Sequence, residues 1–314
     1  MTPPRIVLFG YSDVGHACLT ELMRRGANVA AVYTHADAPD EAAWFPSVAR
    51  LAADHGIPVR MDADFSSARE LEALRSLAPD LVLSCYYRRL LPAAVLALPR
   101  LGAYNVHGSL LPRYRGRAPV NWAVLHGERE SGATLHVMTP RADAGDIVDQ
   151  EAVRIGPDDT AADVQARVCD AAVTVLARQL DALLEGRARR RPQDQSLAST
   201  FGRRRPSDGA FAWDRASTDI HNLVRAVSHP YPGAFTTTAR GTLYVWRTRL
   251  TGRRAAGARP GDMQLLDDRL YVACGDDWWL EILRAQLDGD TERDGADLAH
   301  RLGVPVPLPI PHGS

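Results

Sequence analysis

Two polar side chains at the end of a predicted buried strand have the types and the spacing for acid–base and oxyanion chemistry. Residues 103–107 (AYNVH) form the last part of that strand. Side chains two apart on a strand point to the same face, so Asn105 and His107 project side by side. Asn105 supplies an amide donor, and His107 supplies a group that titrates near neutral pH.

The residues that follow indicate why this pair would be open to a ligand. Gly108 and Ser109 leave the strand, and Pro112 cannot continue a strand ladder because it lacks a backbone N–H. A helix is predicted to begin at Ala118 and Pro119. Ligands of open α/β sheets bind outside the carboxyl ends of the strands. The strand–loop–helix junction is therefore our candidate active site.

The pattern Asn-x-His-x-Ser-Leu-Leu-Pro, followed by Arg-Gly and by Asp143 in RADAGD, resembles that of enzymes that take a formyl group from 10-formyltetrahydrofolate. Nearly the whole chain further resembles one branch, the formyltransferase domain of bifunctional polymyxin-resistance proteins. The matching stretches are THADAPDEAAWFPSVARLAADHGIPV, SCYYRRLL, NVHGSLLPRYRGRAPVNW, RADAGDIVDQ, FGRRRPSDG and RAVSHPYPGAF. The resemblance implies formyl transfer to the 4-amino group of UDP-4-amino-4-deoxy-L-arabinose, a step of lipid A modification in bacteria that resist cationic peptides.

The resemblance also implies roles for the three candidate catalytic residues. Asn105 would donate to the oxyanion of a tetrahedral intermediate, His107 would move protons as general acid or base, and Asp143 would favour the imidazolium. The hypothesis is direct transfer without a covalent acyl-enzyme. Ser109 lacks the GxSxG elbow of a serine nucleophile, so we reject a serine mechanism.

The resemblance places the folate against the loop after the fourth strand, near Arg117 and along residues 139–143. Leu90 and Leu91 offer apolar contact to a pterin, and Arg89 stands where the resembled domain has histidine. The predicted folate contacts are Arg89, Leu90, Leu91, Arg117, Thr139, Pro140, Arg141, Ala142 and Asp143.

For the sugar nucleotide, the candidate contacts are Arg203, Arg204 and Tyr231. Guanidinium groups suit the oxygens of a diphosphate. A plain solvated linker is the alternative interpretation of these arginines.

Short apolar strands alternate with amphipathic helices in the first part of the chain, which predicts an α/β fold with a Rossmann-like, mostly parallel sheet and helices on both faces. Residues 187–206 carry two arginine triplets and little apolar periodicity, so we place a linker there. After a predicted helix at 217–227, five short strand-like runs predict a small OB-like β-barrel. The predicted organisation is a catalytic domain, 1–206, and a barrel domain with a loose tail, 207–314.

Composition and charge exclude several classes of function. The chain has 314 residues, of which 46% are hydrophobic and 24% charged, and its formal net charge is −1. This balance gives no general case for a nucleic-acid or membrane surface. All 37 basic residues are arginine, so a lysine Schiff base is excluded. The absence of a signal-peptide pattern and of an apolar run long enough to span a bilayer predicts a cytoplasmic protein.

Motif spacing gives no indication of a metal or a dinucleotide. The four cysteines lack CxxC spacing and the histidines lack HExxH spacing, so we predict neither a disulfide framework nor a metal site. The first strand is not followed by GxGxxG, and no acidic residue closes the second strand. We therefore reject an NAD site.

Other functions stay open at this point. Methionyl-tRNA formyltransferase resembles this chain in length and two-domain plan, but a tRNA acceptor favours basic surfaces, whereas Asp37, Asp40, Glu41 and the segment 262–290 are acidic. The acceptor could instead be another amino-sugar nucleotide, or water if the protein is a deformylase. A further alternative is a non-catalytic sensor that binds folate or a sugar nucleotide. Because the resembled protein continues into a dehydrogenase domain, association with a separate dehydrogenase is open too.

Overall fold

The computed structural model describes residues 3–36 and 44–304, which form two compact units. The first unit holds the described residues up to Val120, Glu130–Arg154 and Gln165–Gly202; the second holds Asn121–Arg129, Ile155–Val164 and the residues from Arg203 onward. The units are thus discontinuous in sequence, which the prediction of two consecutive domains did not include. The acidic residues 37–41 and positions 305–314 of the predicted tail lie outside the described residues.

The first unit is built on a seven-stranded sheet with the order β3-β2-β1-β4-β5-β7-β8. Its strands are β1 (Arg5–Gly10), β2 (Asn28–Thr34), β3 (Val59–Met61), β4 (Leu81–Cys85), β5 (Ala103–His107), β7 (Glu130–Val137) and β8 (Ile147–Arg154). The pairs from β3 to β5 are parallel, whereas β5–β7 and β7–β8 are antiparallel. The prediction of a mostly parallel sheet is confirmed.

Alternating side chains of the central strands feed two hydrophobic cores. Ile6 and Leu8 belong to one cluster, and Val7 and Phe9 belong to the other. Such two-sided burial is what a parallel sheet with helices on both faces requires. The helices that include residues of this unit are α1 (Ser12–Arg24), α2 (Val48–Asp54), α3 (Ala68–Ser76), α4 (Ala93–Leu96), α5 (Pro119–Leu125) and α6 (Ala161–Leu184).

Two very short strands pair away from the main sheet. They are β6 (Arg115–Gly116) and β9 (Thr200–Phe201), and their pairing is parallel. The approach is so close that a Cβ on Gly116 would lie 2.2 Å from the Phe201 carbonyl oxygen, and Gly116 has a φ of 97°. Thr200 and Phe201, within the predicted linker, are thereby joined to the loop that follows His107.

The second unit contains an antiparallel sheet with the order β10-β11-β14-β13-β12, and β15 pairs with β14. Its elements are α7 (Ser217–Val227), β10 (Ala234–Thr238), β11 (Gly241–Arg254), β12 (Met263–Leu266), β13 (Arg269–Ala273), β14 (Trp278–Leu287), β15 (Arg293–Asp294) and α8 (Gly295–Leu302). Helix α7 packs on β11. An antiparallel β domain after the α/β part was predicted and is confirmed. Throughout residues 3–36 and 44–304, each helix is too short or too polar to cross a bilayer.

Candidate active site

The two antiparallel strands β5 and β7 present polar side chains on one shared face. Asn105 stands opposite His136 in the register, and His107 stands opposite Thr134. Opposite residues of an antiparallel pair lie on the same face with Cβ atoms about 4.5–5.5 Å apart. The strand pairing therefore surrounds the predicted Asn105–His107 pair with two further polar residues.

His107 is buried, with a relative exposure of 7%, and its ring orientation is fixed by a hydrogen bond. Nε2 lies 2.8 Å from the carbonyl oxygen of Tyr114. A carbonyl oxygen only accepts, so Nε2 carries a hydrogen. Nδ1 is consequently the nitrogen that takes up or releases a proton, and it faces the carboxylate of Asp143 with a distance of 3.7 Å to Oδ1.

Asp143 lies in the loop between β7 and β8, beside both histidines of the site. Its Oδ1 is 3.6 Å from His136 Nε2, and its Oδ2 accepts from the backbone N–H of Gly116 at 2.8 Å. Burial alone would raise the pKa of Asp143. The interactions with His107 and His136 and the Gly116 hydrogen bond outweigh burial and hold that pKa well below its usual value. Asp143 is thus ionised throughout the neutral range.

The loop that carries Asp143 is sterically constrained. Asp143 has a φ of 52°, in the left-handed region that Asp tolerates better than most residues. A Cβ on Gly145 would lie 1.9 Å from the carbonyl oxygen of Val137. Glycine is therefore required for the turn that brings Asp143 to His107.

His136 is a member of this constellation that the sequence analysis did not select. Its Nδ1 lies 2.9 Å from the carbonyl oxygen of Val137, so Nδ1 carries a hydrogen. In the neutral ring Nε2 is then an acceptor, and Nδ2 of Asn105 donates to it at 3.1 Å. This bond orients the Asn105 amide. The position of a histidine opposite Asn105 could have indicated its role, but that position is known only from the antiparallel register of β5 and β7.

The predicted folate residues lie in the segments that follow β4, β6 and β7. Leu90 is 71% exposed, whereas Leu91 is buried in the second hydrophobic cluster. Arg89 donates through Nη1 to the carbonyls of Asp62 and Ala63 at 3.1 and 3.2 Å. The exposed apolar side chain of Leu90 thus lies next to Arg89, whose guanidinium is held by two backbone carbonyls.

Two further contacts organise the other predicted folate segments. Arg117 donates through Nη2 to the Arg88 carbonyl at 2.5 Å, which links the loop after β4 to the segment after β6. In the run that comprises Thr139, Pro140, Arg141, Ala142 and Asp143, the Thr139 hydroxyl donates to the Arg141 carbonyl at 2.8 Å. These contacts join the loop after β4 to Arg117, and the 139–143 run reaches His107 through Asp143.

The predicted sugar-nucleotide residues belong to the second unit. The Arg204 guanidinium lies 4.9 Å from the centroid of the Trp122 ring, and Nη2 donates to the Asp208 carbonyl at 3.0 Å. Burial lowers the pKa of Arg204. Arg203 is exposed, and the backbone N–H of Tyr231 donates to the Ser228 carbonyl. Arg204 is thus partly committed to packing within its own unit.

Comparison with protein families decides the class of this protein. Residues 4–180 match the family described as formyl transferase, and residues 204–303 match the family described as formyl transferase, C-terminal domain. The chain belongs to the formyl transferase family. The predicted family and enzyme class are confirmed.

Solved structures with the same fold include sugar formyltransferases. WlaRD, a sugar 3N-formyl transferase solved in the presence of dTDP and 5-N-formyl-THF, is 16% identical with a TM-score of 0.71, and the match covers 93% of this chain and 100% of WlaRD. The N-formyltransferase from Helicobacter canadensis, in complex with folinic acid and dTDP-3-aminofucose, is 18% identical with a TM-score of 0.71 and coverage of 89% and 98%.

A third similar structure belongs to a longer protein. HypX from Aquifex aeolicus, in complex with tetrahydrofolic acid, is 16% identical with a TM-score of 0.66, and the match covers all of this chain and 50% of HypX. At these identities the likeness establishes the formyltransferase fold.

Proposed function

We propose that this formyltransferase moves the formyl group of 10-formyltetrahydrofolate to the amino group of a nucleotide-linked amino sugar. The observation that carries the proposal is the constellation of Asn105, His107 and Asp143, with His107 Nδ1 facing the ionised carboxylate at 3.7 Å. An amide donor, a titratable imidazole and a carboxylate are the groups that acyl transfer between two nitrogens needs. We assign these steps to the predicted catalytic domain, 1–206.

The proton balance of the reaction fits these three groups. The acceptor amine attacks the formyl carbon, the C–N10 bond breaks, one N–H proton leaves the amine and one proton reaches N10. Asn105 donates to the oxyanion of the tetrahedral intermediate, a contribution of about 3 kcal/mol in comparable sites. His107 takes up the amine proton and returns one to N10, while Asp143 stabilises the imidazolium between the two steps. Since uptake equals release, the enzyme ends each turnover in its starting state.

The donor side of the proposal is supported by the loop after β4. Leu90 presents apolar surface that is 71% exposed, and Leu91 anchors the loop in the core. A ligand pocket combines such apolar contacts with a few fixed polar groups. The bond from Arg117 to the Arg88 carbonyl holds this loop beside the segment that follows His107. WlaRD and the Helicobacter canadensis enzyme were solved with 5-formylfolates, which supports a formylfolate donor here.

For the acceptor we propose UDP-4-amino-4-deoxy-L-arabinose, the substrate of the polymyxin-resistance branch that the sequence resembles, in the pathway of lipid A modification. Arg203, Arg204 and Tyr231 are the candidate contacts for the nucleotide. Arg204 retains its charge beside Trp122 in a partly buried position, which suits a diphosphate oxygen. The two sugar formyltransferases described above were solved with dTDP or a dTDP-sugar, so dTDP-linked amino sugars are the matched competing acceptors.

Methionyl-tRNA is a second candidate acceptor because of one observation in the second unit. Strand β11 carries exposed arginines at positions 247, 249, 253 and 254, and rows of arginine favour a phosphate backbone. The acidic segment 262–290, which includes all of β12, β13 and β14, opposes this assignment. Sugar nucleotide is therefore our first choice.

The test is a set of parallel reactions of the purified protein with 10-formyltetrahydrofolate. The acceptors are UDP-4-amino-4-deoxy-L-arabinose, a dTDP-linked 3-amino sugar, methionyl-tRNA and buffer alone, and the products are followed by mass. We expect a formylated UDP-sugar that is lost in His107→Ala. Formylated dTDP-sugar or tRNA instead would contradict the proposed acceptor, and release of formate alone would contradict transfer.

A further inference from the structure

The segment 191–201, which the sequence analysis placed in a linker, is fastened to the loops of the active site. Arg191 and Ile147 exchange two backbone hydrogen bonds of 2.8 Å at the start of β8. Ser199 accepts through its carbonyl from Arg115 N–H at 2.9 Å, and its hydroxyl accepts from Tyr114 N–H at 2.9 Å. These bonds hold the segment against both loops that flank His107 and Asp143.

Between these two attachments, the Gln193 side chain reaches the loop that carries Asp143. It is 7% exposed, and its Nε2 donates to the carbonyl of Asp143 at 2.8 Å and to the carbonyl of Gly145 at 2.6 Å. Both amide hydrogens are therefore used on the backbone of one turn. Because buried carbonyls without donors are costly, removal of Gln193 would leave this turn without two of its supports.

The other end of the Gln193 amide is held by a buried arginine. Arg115, 2% exposed, donates to Gln193 Oε1 through Nε at 3.1 Å and through Nη2 at 2.6 Å, and its Nη1 donates to Gln195 Oε1 at 3.1 Å. This fixes which end of the Gln193 amide points at the Asp143 loop. Gly116, the next residue, donates its N–H to Asp143 Oδ2 at 2.8 Å. Arg115 and Gly116 thus hold Asp143 through its backbone and through its carboxylate.

We propose that Gln193 is a positioning residue for formyl transfer: it clamps the 143–145 turn between buried Arg115 and the active site, so that the Asp143 carboxylate faces His107. The expected effect on kcat rests on the proposed function. The hydrogen bonds of Gln193 to the 143–145 turn are a property of the fold and do not depend on it. Gln193 acts through Asp143 and needs no contact with substrate. A displacement of about 1 Å at a reacting group costs on the order of 100-fold in rate.

Two matched variants separate this role from general damage. Gln193→Glu keeps an oxygen for Arg115 but lacks both N–H donors to the 143 and 145 carbonyls. Gln195→Glu makes the same change of charge beside the same guanidinium. Among the described residues, the Nε2 that this variant loses donates to the Gln193 carbonyl alone, at 3.2 Å. The first readout is hydrogen exchange of the Gly116 amide, which requires no activity. The second is kcat, KM and the pH–rate profile of formyl transfer in wild-type and Asp143→Asn backgrounds.

We expect Gln193→Glu to speed exchange at Gly116 about tenfold or more, to lower kcat on the order of 10- to 100-fold with little change in KM, and to shift the pH–rate profile. Gln195→Glu should stay near wild type in each readout, and Gln193→Glu should have no further effect on kcat in Asp143→Asn. Equal effects of the two glutamate variants, or unchanged exchange at Gly116, would overturn the proposal. If the wild type gives no formylated product, the proposed function fails, and the exchange comparison still decides the clamp.

Discussion

Replacement of His136 by leucine tests how the Asn105 amide is oriented. In the wild type, His136 Nδ1–H is bound to the Val137 carbonyl, so Nε2 accepts from Asn105 Nδ2 at 3.1 Å. The amide then has one orientation, with its second N–H available to an oxyanion. Leucine fills the buried β7 position with an apolar side chain that offers no acceptor. The Asn105 amide would be free to rotate between donor and acceptor orientations.

The size of the effect on the Asn105 amide follows from the one hydrogen bond that this amide loses, the bond to His136 Nε2. A neutral hydrogen bond contributes about 0.5–1.5 kcal/mol net, which corresponds to roughly a 2- to 12-fold change in the population of the donor orientation. Removing the donor itself, in Asn105→Ala, should cost about 100- to 1,000-fold in kcat. His136→Leu is therefore expected to fall well short of Asn105→Ala.

The assay is kcat for product formation, followed by mass, in His136→Leu, Asn105→Ala and the double variant. His55→Leu, an exposed histidine at the end of α2, is the control for loss of an imidazole. We expect the His136 substitution to have no further effect once Asn105 is alanine. An equal fall in both backgrounds, or a fall as large as that of Asn105→Ala, would mean that His136 acts on the reaction directly and would refute this reasoning.

Three further predictions follow from single contacts. His107→Ala should lower kcat about 100- to 10,000-fold while equilibrium binding of the folate persists, which fluorescence titration would check. Burial lowers the pKa of His221, so the unfolded state binds more protons and the free energy of unfolding should fall as pH drops below about 6.5; urea denaturation at several pH values should show a weaker dependence in His221→Gln. Gly145→Ala, whose Cβ would lie 1.9 Å from the Val137 carbonyl oxygen, should lose about 1–3 kcal/mol of stability. Gly202→Ala, whose Cβ would have no heavy atom of the described residues within 4 Å, should be neutral in thermal unfolding.

Most elements of the first unit were predictable because their hydrophobic patterns are long enough to show a period. The apolar run RIVLFG coincides with β1 (Arg5–Gly10), and the apolar residues of α6 (Ala161–Leu184) recur at helical spacing. The two-residue strands β6 and β9 have no period at all, so no pattern could indicate them. Helix α8 was missed although Asp294 caps it and Gly303 ends it with a φ of 67°. The sequence therefore carries the capping signals at both ends of α8.

The grouping of the chain into units was not available from the sequence. Segments Asn121–Arg129 and Ile155–Val164 belong with residues after 203, yet their composition does not differ from that of their neighbours. Which unit a segment joins depends on contacts between positions that are distant along the chain. A change of composition indicates a polar stretch, and it indicated a linker at 187–206. In the structure, the residues of this stretch up to Gly202 belong to the first unit.

The candidate site divides in the same way between local and distant information. Asn105 and His107 could be paired from the sequence because a strand repeats every two residues. His136 joins them only because β5 and β7 pair antiparallel, which places it opposite Asn105. The alternation of strands and helices predicts parallel pairs, so it does not predict this register.

Gln193 illustrates why polarity alone misled the interpretation of the segment before Gly202. A glutamine amide can donate hydrogen bonds to water or to buried carbonyls. Its presence in a polar stretch therefore does not show whether it is exposed to solvent or buried against the backbone. The carbonyl it meets belongs to a residue 50 positions earlier, and the arginine that orients it is 78 positions earlier. A polar segment between domains is therefore as suited to bracing an active-site loop as to lying in solvent. Only the partners that the fold delivers decide between these roles.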